Sequence, residues 1–157
     1  MNVKLASLLT VAAIIVVVTG VSIYLRAPKE EISEEKFGIY TYSYLENREL
    51  VISDNGIIWY KKTSHEIKLT EEGVEKVRAV GWAVYGISFA VKLDNRVIYT
   101  GRFWSMASSV PPSGVIIMTP TENNIIKIES YPTPDFVDPR NDNEIFDHFL
   151  KIGKLIQ

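Results

Sequence analysis

Cysteine is absent from the 157 residues, and with it go disulfides, thiolate zinc sites, cysteine nucleophiles and a lipid-modified N-terminal cysteine. A small exported domain without them rests on its hydrophobic core alone. Glutamine occurs once, at Gln157, while isoleucine, valine, glutamate and lysine are plentiful, a bias that fits a chain made for high temperature. Positive charge is not in surplus. A net charge of −2 and a pI near 5.7 offer little to neutralise a phosphate backbone, so nucleic acid is not an expected partner. Neither a Gly-x-Ser-x-Gly elbow nor a phosphate-binding glycine loop occurs, which leaves the common hydrolase and nucleotide-binding classes without a foothold.

Titratable chemistry is equally sparse. Only His65 and His148 titrate near neutrality, and neither has metal-ligand spacing to another histidine. Their neighbours Glu66 and Asp147 point to different faces of a strand or helix, so both histidines read as satisfied structural residues. The acids Asp135, Asp138, Asp142, Glu144 and Asp147 suggest calcium. However, an EF-hand-like loop opened at Asp138 would put Arg140 third and Phe149 twelfth. Helix capping and solvated charge are the preferred reading, and no cofactor or metal is expected. Ser33 and Lys36 spell a Ser-x-x-Lys pattern too short to carry weight.

What is present is a hydrophobic run. Residues 5–25 are uncharged, and a helix of that length spans about 30 Å, the thickness of a bilayer's hydrocarbon core. Lys4 precedes the run; Arg26 and Lys29 follow it, so the positive-inside rule is nearly balanced. The short N-tail before one apolar span is the layout of a signal anchor, which places residues 1–26 in the membrane, the N-terminus in the cytoplasm and the domain outside. The alternative is secretion after cleavage near Val18-Thr19-Gly20, against which the length of the run argues. Residues 27–36 turn polar and acidic and read as a tether, leaving residues 37–157 as one extracytoplasmic domain. Hydrophobic residues at 46% and charged residues at 23% suit a folded domain of that size.

Residues 37–44, rich in aromatic and β-branched side chains, read as a first strand. Two hairpins are expected next. Around Asp54-Asn55-Gly56, with Gly56 left-handed, Ile52 would pair with Ile58 and Val51 with Trp59. Around Leu93-Asp94-Asn95, a three-residue loop would pair Val91 with Val97, Phe89 with Tyr99 and Ile87 with Gly101, whereas a two-residue turn would set that apolar face against Arg96 and Arg102. Between the hairpins, residues 64–69 alternate with His65, Ile67 and Leu69 on one face, and Thr70 caps a short helix running to about Val80. Residues 115–118, a continuous apolar run suited to a sheet centre, and 125–131 are further strands. Pro132, Pro134 and Pro139 mark an irregular crossing. Residues 143–156 read as a closing helix, with Asn141 and Glu144 at capping-box spacing and Ile145, Phe149, Ile152 and Ile156 as its apolar stripe. This order predicts an α+β domain with a mainly antiparallel sheet, one short internal helix and a C-terminal helix.

The segment from Arg102 to Gly114 is the most unusual. Arg102, Phe103, Trp104, Ser105 and Met106 lead into Pro111 and Pro112, a composition favoured at recognition surfaces. Alternation puts Arg102 and Trp104 on the face opposite Phe103, exposed unless another layer covers them. The expected function is a membrane-anchored, non-enzymatic binding or assembly module whose partners are the membrane, through its N-terminal helix, and a protein. The alternatives are a cell-surface hydrolase whose residues meet only in three dimensions and an accessory subunit of a membrane complex.

Overall fold

The computed structural model describes residues 36–41, 49–119 and 122–157, all within the compact unit Glu35–Gln157. The expected anchor and nearly all of the tether, residues 1–35, lie outside them, as do residues 42–44 of the expected first strand. No helix among the described residues is long and apolar enough to cross a membrane.

The domain is mainly sheet with two helices. Strands β1 (Phe37–Thr41), β2 (Leu50–Ser53), β3 (Ile57–Lys61) and β4 (Glu66–Leu69) precede helix α1 (Glu71–Ala79). Strands β5 (Ile87–Leu93), β6 (Arg96–Ser105), β7 (Gly114–Thr119) and β8 (Ile125–Tyr131) follow, then α2 (Asn143–Lys151) and β9 (Leu155–Ile156). They form one curled half-barrel in the order β2-β1-β5-β6-β7-β8-β4-β3-β9. The sheet is mixed, because β6–β7 and β3–β9 are parallel among otherwise antiparallel pairs. The apolar run of β7 lies mid-sheet, as its sequence predicts. Helix α1 packs against β2 and β4, bringing Val74 and Val77 into the core. Helix α2 contributes Ile145, Phe146 and Phe149. The Phe149 ring stacks on Tyr60 and meets Phe37 edge-on.

The first expected hairpin does not form. Residues Asp54–Gly56 make a 3-10 turn, Gly56 is not left-handed, and the two strands part, β2 to pair with β1 and β3 with β4. The cause is long-range. Asp54 is buried; its Oδ2 accepts from the backbone N–H groups of Lys36 and Phe37, both at 3.1 Å, and its Oδ1 accepts from His148 Nε2 at 2.7 Å. Lys154 Nζ donates to the carbonyls of Asp54 and Ile57. A residue read as a turn former is thus a clasp holding the start of β1, the β2–β3 corner and the C-terminus together.

The second hairpin exists with another register. Asp94 and Asn95 are both left-handed, at φ 48° and 64°, so the turn has two residues, with Leu93 opposite Arg96. The clash this would cause is removed by a bulge after Lys92↔Val97, where Ile98 is the extra residue and Val91 regains an apolar partner in Tyr99. Phe89 then faces Gly101 and Ile87 faces Phe103, while Val97 is left exposed.

At the C-terminus α2 is shorter than predicted. Asp142, not Asn141, caps it, accepting from the N–H groups of Glu144 and Ile145. Gly153 (φ 71°) ends it, and residues 155–156 become β9 beside β3. Ile145 and Phe149 of the expected stripe are buried; Ile152 and Ile156 are exposed.

Candidate functional site

Strands β6 and β7 are parallel neighbours, so the chain leaving Ser105 must travel back before Gly114 can begin the next strand. Only residues 106–113 are available for that return. A helix will not fit, and Pro111-Pro112 supplies extended backbone instead. The returning loop lines a hollow of about 430 Å³ with Trp104, Ser105, Met106, Pro111, Pro112 and Met118 among its walls. Trp104 therefore does not project into solvent: it is 3% exposed, and with Ile116 it is buried outside the main core cluster. Gly86 packs beside it. A Cβ there would lie 2.8 Å from the Trp104 ring and 2.8 Å from the Phe103 carbonyl, and the residue sits at φ 71°.

Ser105 also lines a second hollow of about 220 Å³, shared with Val77, Arg78, Gly81, Trp82 and Thr119. The two loops around these hollows are tied by Ser108 Oγ, which donates to the Val84 carbonyl at 2.6 Å. Four large apolar side chains are exposed on them: Met106 at 84%, Tyr85 at 69%, Trp82 at 65% and Val84 at 41%. Of the residues singled out from sequence, Met106 belongs to this face, Trp104 and Phe103 are buried, and Arg102 is exposed beside a different cleft. Trp82 and Tyr85 were missed. Their signal was available, since Gly81-Trp82 and Tyr85-Gly86 place large aromatics next to chain-reversing glycines.

The apolar face lies far from the point where the chain enters the sheet. Lys36 O accepts from Asp94 N at 2.8 Å, and Phe37 pairs with Leu93, so β1 begins beside the β5–β6 turn. From Arg96, next to that turn, β6 runs about 30 Å to Ser105.

The titratable groups lie elsewhere. Tyr60 Oη and His65 Nδ1 are 2.9 Å apart in the interior. Burial, followed by the nearby Arg140 guanidinium, holds His65 below its usual value of 6.5, with Asp138 opposing. Burial also raises Tyr60 and Tyr99 above the ordinary tyrosine value. Asp138 is held below its usual value, chiefly by its hydrogen bonds from the Arg140 side chain. Of the other acids in that stretch, Asp142 caps α2 and Glu144 pairs with Arg96. Among the described residues no three His, Asp or Glu side chains converge as a metal site, and neither histidine hydrogen-bonds a serine or threonine hydroxyl. Compared with protein-family models, with curated proteins and with solved structures, the chain finds no match.

Proposed function

We propose that this chain is a membrane-anchored, non-enzymatic binding or assembly module, its domain held outside the cytoplasm, which docks a protein through the face formed by Trp82, Val84, Tyr85 and Met106. The exposure of these four side chains on two interlocked loops carries the reading. Scattered apolar residues on a surface mean little, whereas Trp82 and Met106 at the walls of two adjoining hollows, with Val84 and Tyr85 exposed on the same loop as Trp82, have the composition of an interface centre. The fixed loops lose little freedom on binding, which favours affinity. The described chain enters the domain at Lys36, at the other end of β6 from this face. An accessory subunit of a membrane complex is the form of this function in which that partner is itself membrane-bound.

The test uses the full chain. It should stay with membranes through high-salt and alkaline washes, as one uncharged span of residues 5–25 requires. After gentle solubilisation it should retain a partner that the Trp82→Ala, Tyr85→Ala double variant loses, with a binding deficit of about 2 kcal/mol or more and an unchanged melting midpoint. Release by alkali would remove the anchor. Equal capture by the variant would remove the docking face.

A further inference from the structure

The structure assigns a second, separate feature: we propose that the cleft beside Arg102 binds an acidic sugar, a hydroxylated ring bearing a carboxylate. The cleft opens because β6 is paired with β7 only from Arg102↔Ile116 onward. Alongside the earlier part of β6 the crossing segment supplies Thr133 and Phe136 instead. The resulting cavity of about 470 Å³ includes Ser88, Thr100, Arg102, Ser113, Thr133 and Phe136 in its walls. That is the size of a small-ligand site.

Arg102 differs from the other arginines among the described residues. Arg78 meets Glu75, Arg96 meets Glu144 and Arg140 meets Asp138. Arg102 has no carboxylate or other side-chain partner among the described residues, nor do the hydroxyls of Ser88, Thr100, Ser113 and Thr133. Arg102 and four hydroxyl-bearing residues thus line one cavity without satisfying one another. The guanidinium fork matches a carboxylate bidentately, the hydroxyls can donate to or accept from ring hydroxyls, and Phe136 offers an apolar surface to the C–H face of a sugar. The floor is fixed at Gly101, where a Cβ would come within 2.5 Å of the Val115 carbonyl. A side chain there would also collide with the buried Phe89 ring.

The probes are glucuronate, inorganic phosphate and glucose, titrated against the full chain in detergent at ionic strength held constant with chloride, with melting as the readout. Glucuronate should raise the midpoint saturably, phosphate should do so more weakly, and glucose should leave it unchanged. Arg102→Gln should weaken glucuronate about tenfold or more with unchanged melting in the absence of ligand, and Thr133→Val combined with Ser113→Ala should weaken it severalfold. The assignment is overturned if glucuronate gives no saturable shift, if glucose or phosphate equals it, or if Arg102→Gln binds as the unaltered chain does.

Discussion

His65 occupies a left-handed conformation, φ 54°, that few side chains tolerate, and it is buried with Nδ1 against the Tyr60 hydroxyl. A neutral ring lets Nδ1 accept from that hydroxyl. Protonation would make Nδ1 the donor and the Tyr60 hydroxyl the acceptor, and would place a charge in a site that burial already makes hostile to it. Because the folded protein holds His65 below 6.5, the unfolded chain binds the proton more readily. The stabilisation is therefore complete above pH 6.5 and is lost as pH falls through that value toward the folded one. The melting midpoint should drop on acidification from pH 7.5 to 5. His65→Asn, which accepts positive φ and does not titrate, should flatten that slope; an identical slope in the variant would assign it to other groups. Asp138, also held below its usual 3.8, contributes stability present above that value and lost as pH falls below it toward the folded one.

Helix α2 offers a test at the scale of the element. With Asp142 accepting from two N–H groups at its start, Asp142→Ala should cost about 1 kcal/mol, while Asn141→Ala should change stability by less than about 0.5 kcal/mol. Melting of the two variants distinguishes the caps, and a larger loss at Asn141 would restore the capping box. Local patterns made several elements readable in advance: Thr70 before two glutamates for α1, the apolar run of β7 for the sheet centre, and the alternation that buries His65, Ile67 and Leu69. The absence of the first hairpin and the register of the second were not readable because their deciding contacts are distant. Asp54 leaves its turn for partners at residues 36, 37 and 148, and the bulge at Ile98 is fixed by what β6 must bury against β5 rather than by the turn sequence. The same limit applied to the site. Composition drew attention to residues 102–114, but only the parallel β6–β7 connection explains why Trp104 is roofed over while Met106 remains outside.

At the scale of the whole molecule, the described sheet, both helices and the Asp54 clasp lie within residues 36–157, with Lys36 contributing backbone hydrogen bonds to the clasp and to the β5–β6 turn. A chain beginning at Lys36 should unfold in one cooperative transition, insensitive to reductant and chelator, since it contains no cysteine. A broad, non-cooperative melt would mean that the preceding residues complete the core. The apolar face of Trp82, Val84, Tyr85 and Met106, at the end of β6 away from Lys36, is the proposed meeting point with a protein. It is tested most directly by placing a photo-crosslinking side chain at Tyr85, at Met106 and, as the control near the entry point, at Asn95 in the full chain in intact membranes. Discrete protein adducts should form from Tyr85 and Met106 and be absent from Asn95. Lipid adducts alone from Tyr85 and Met106, or the same protein adducts from all three positions, would contradict the claim.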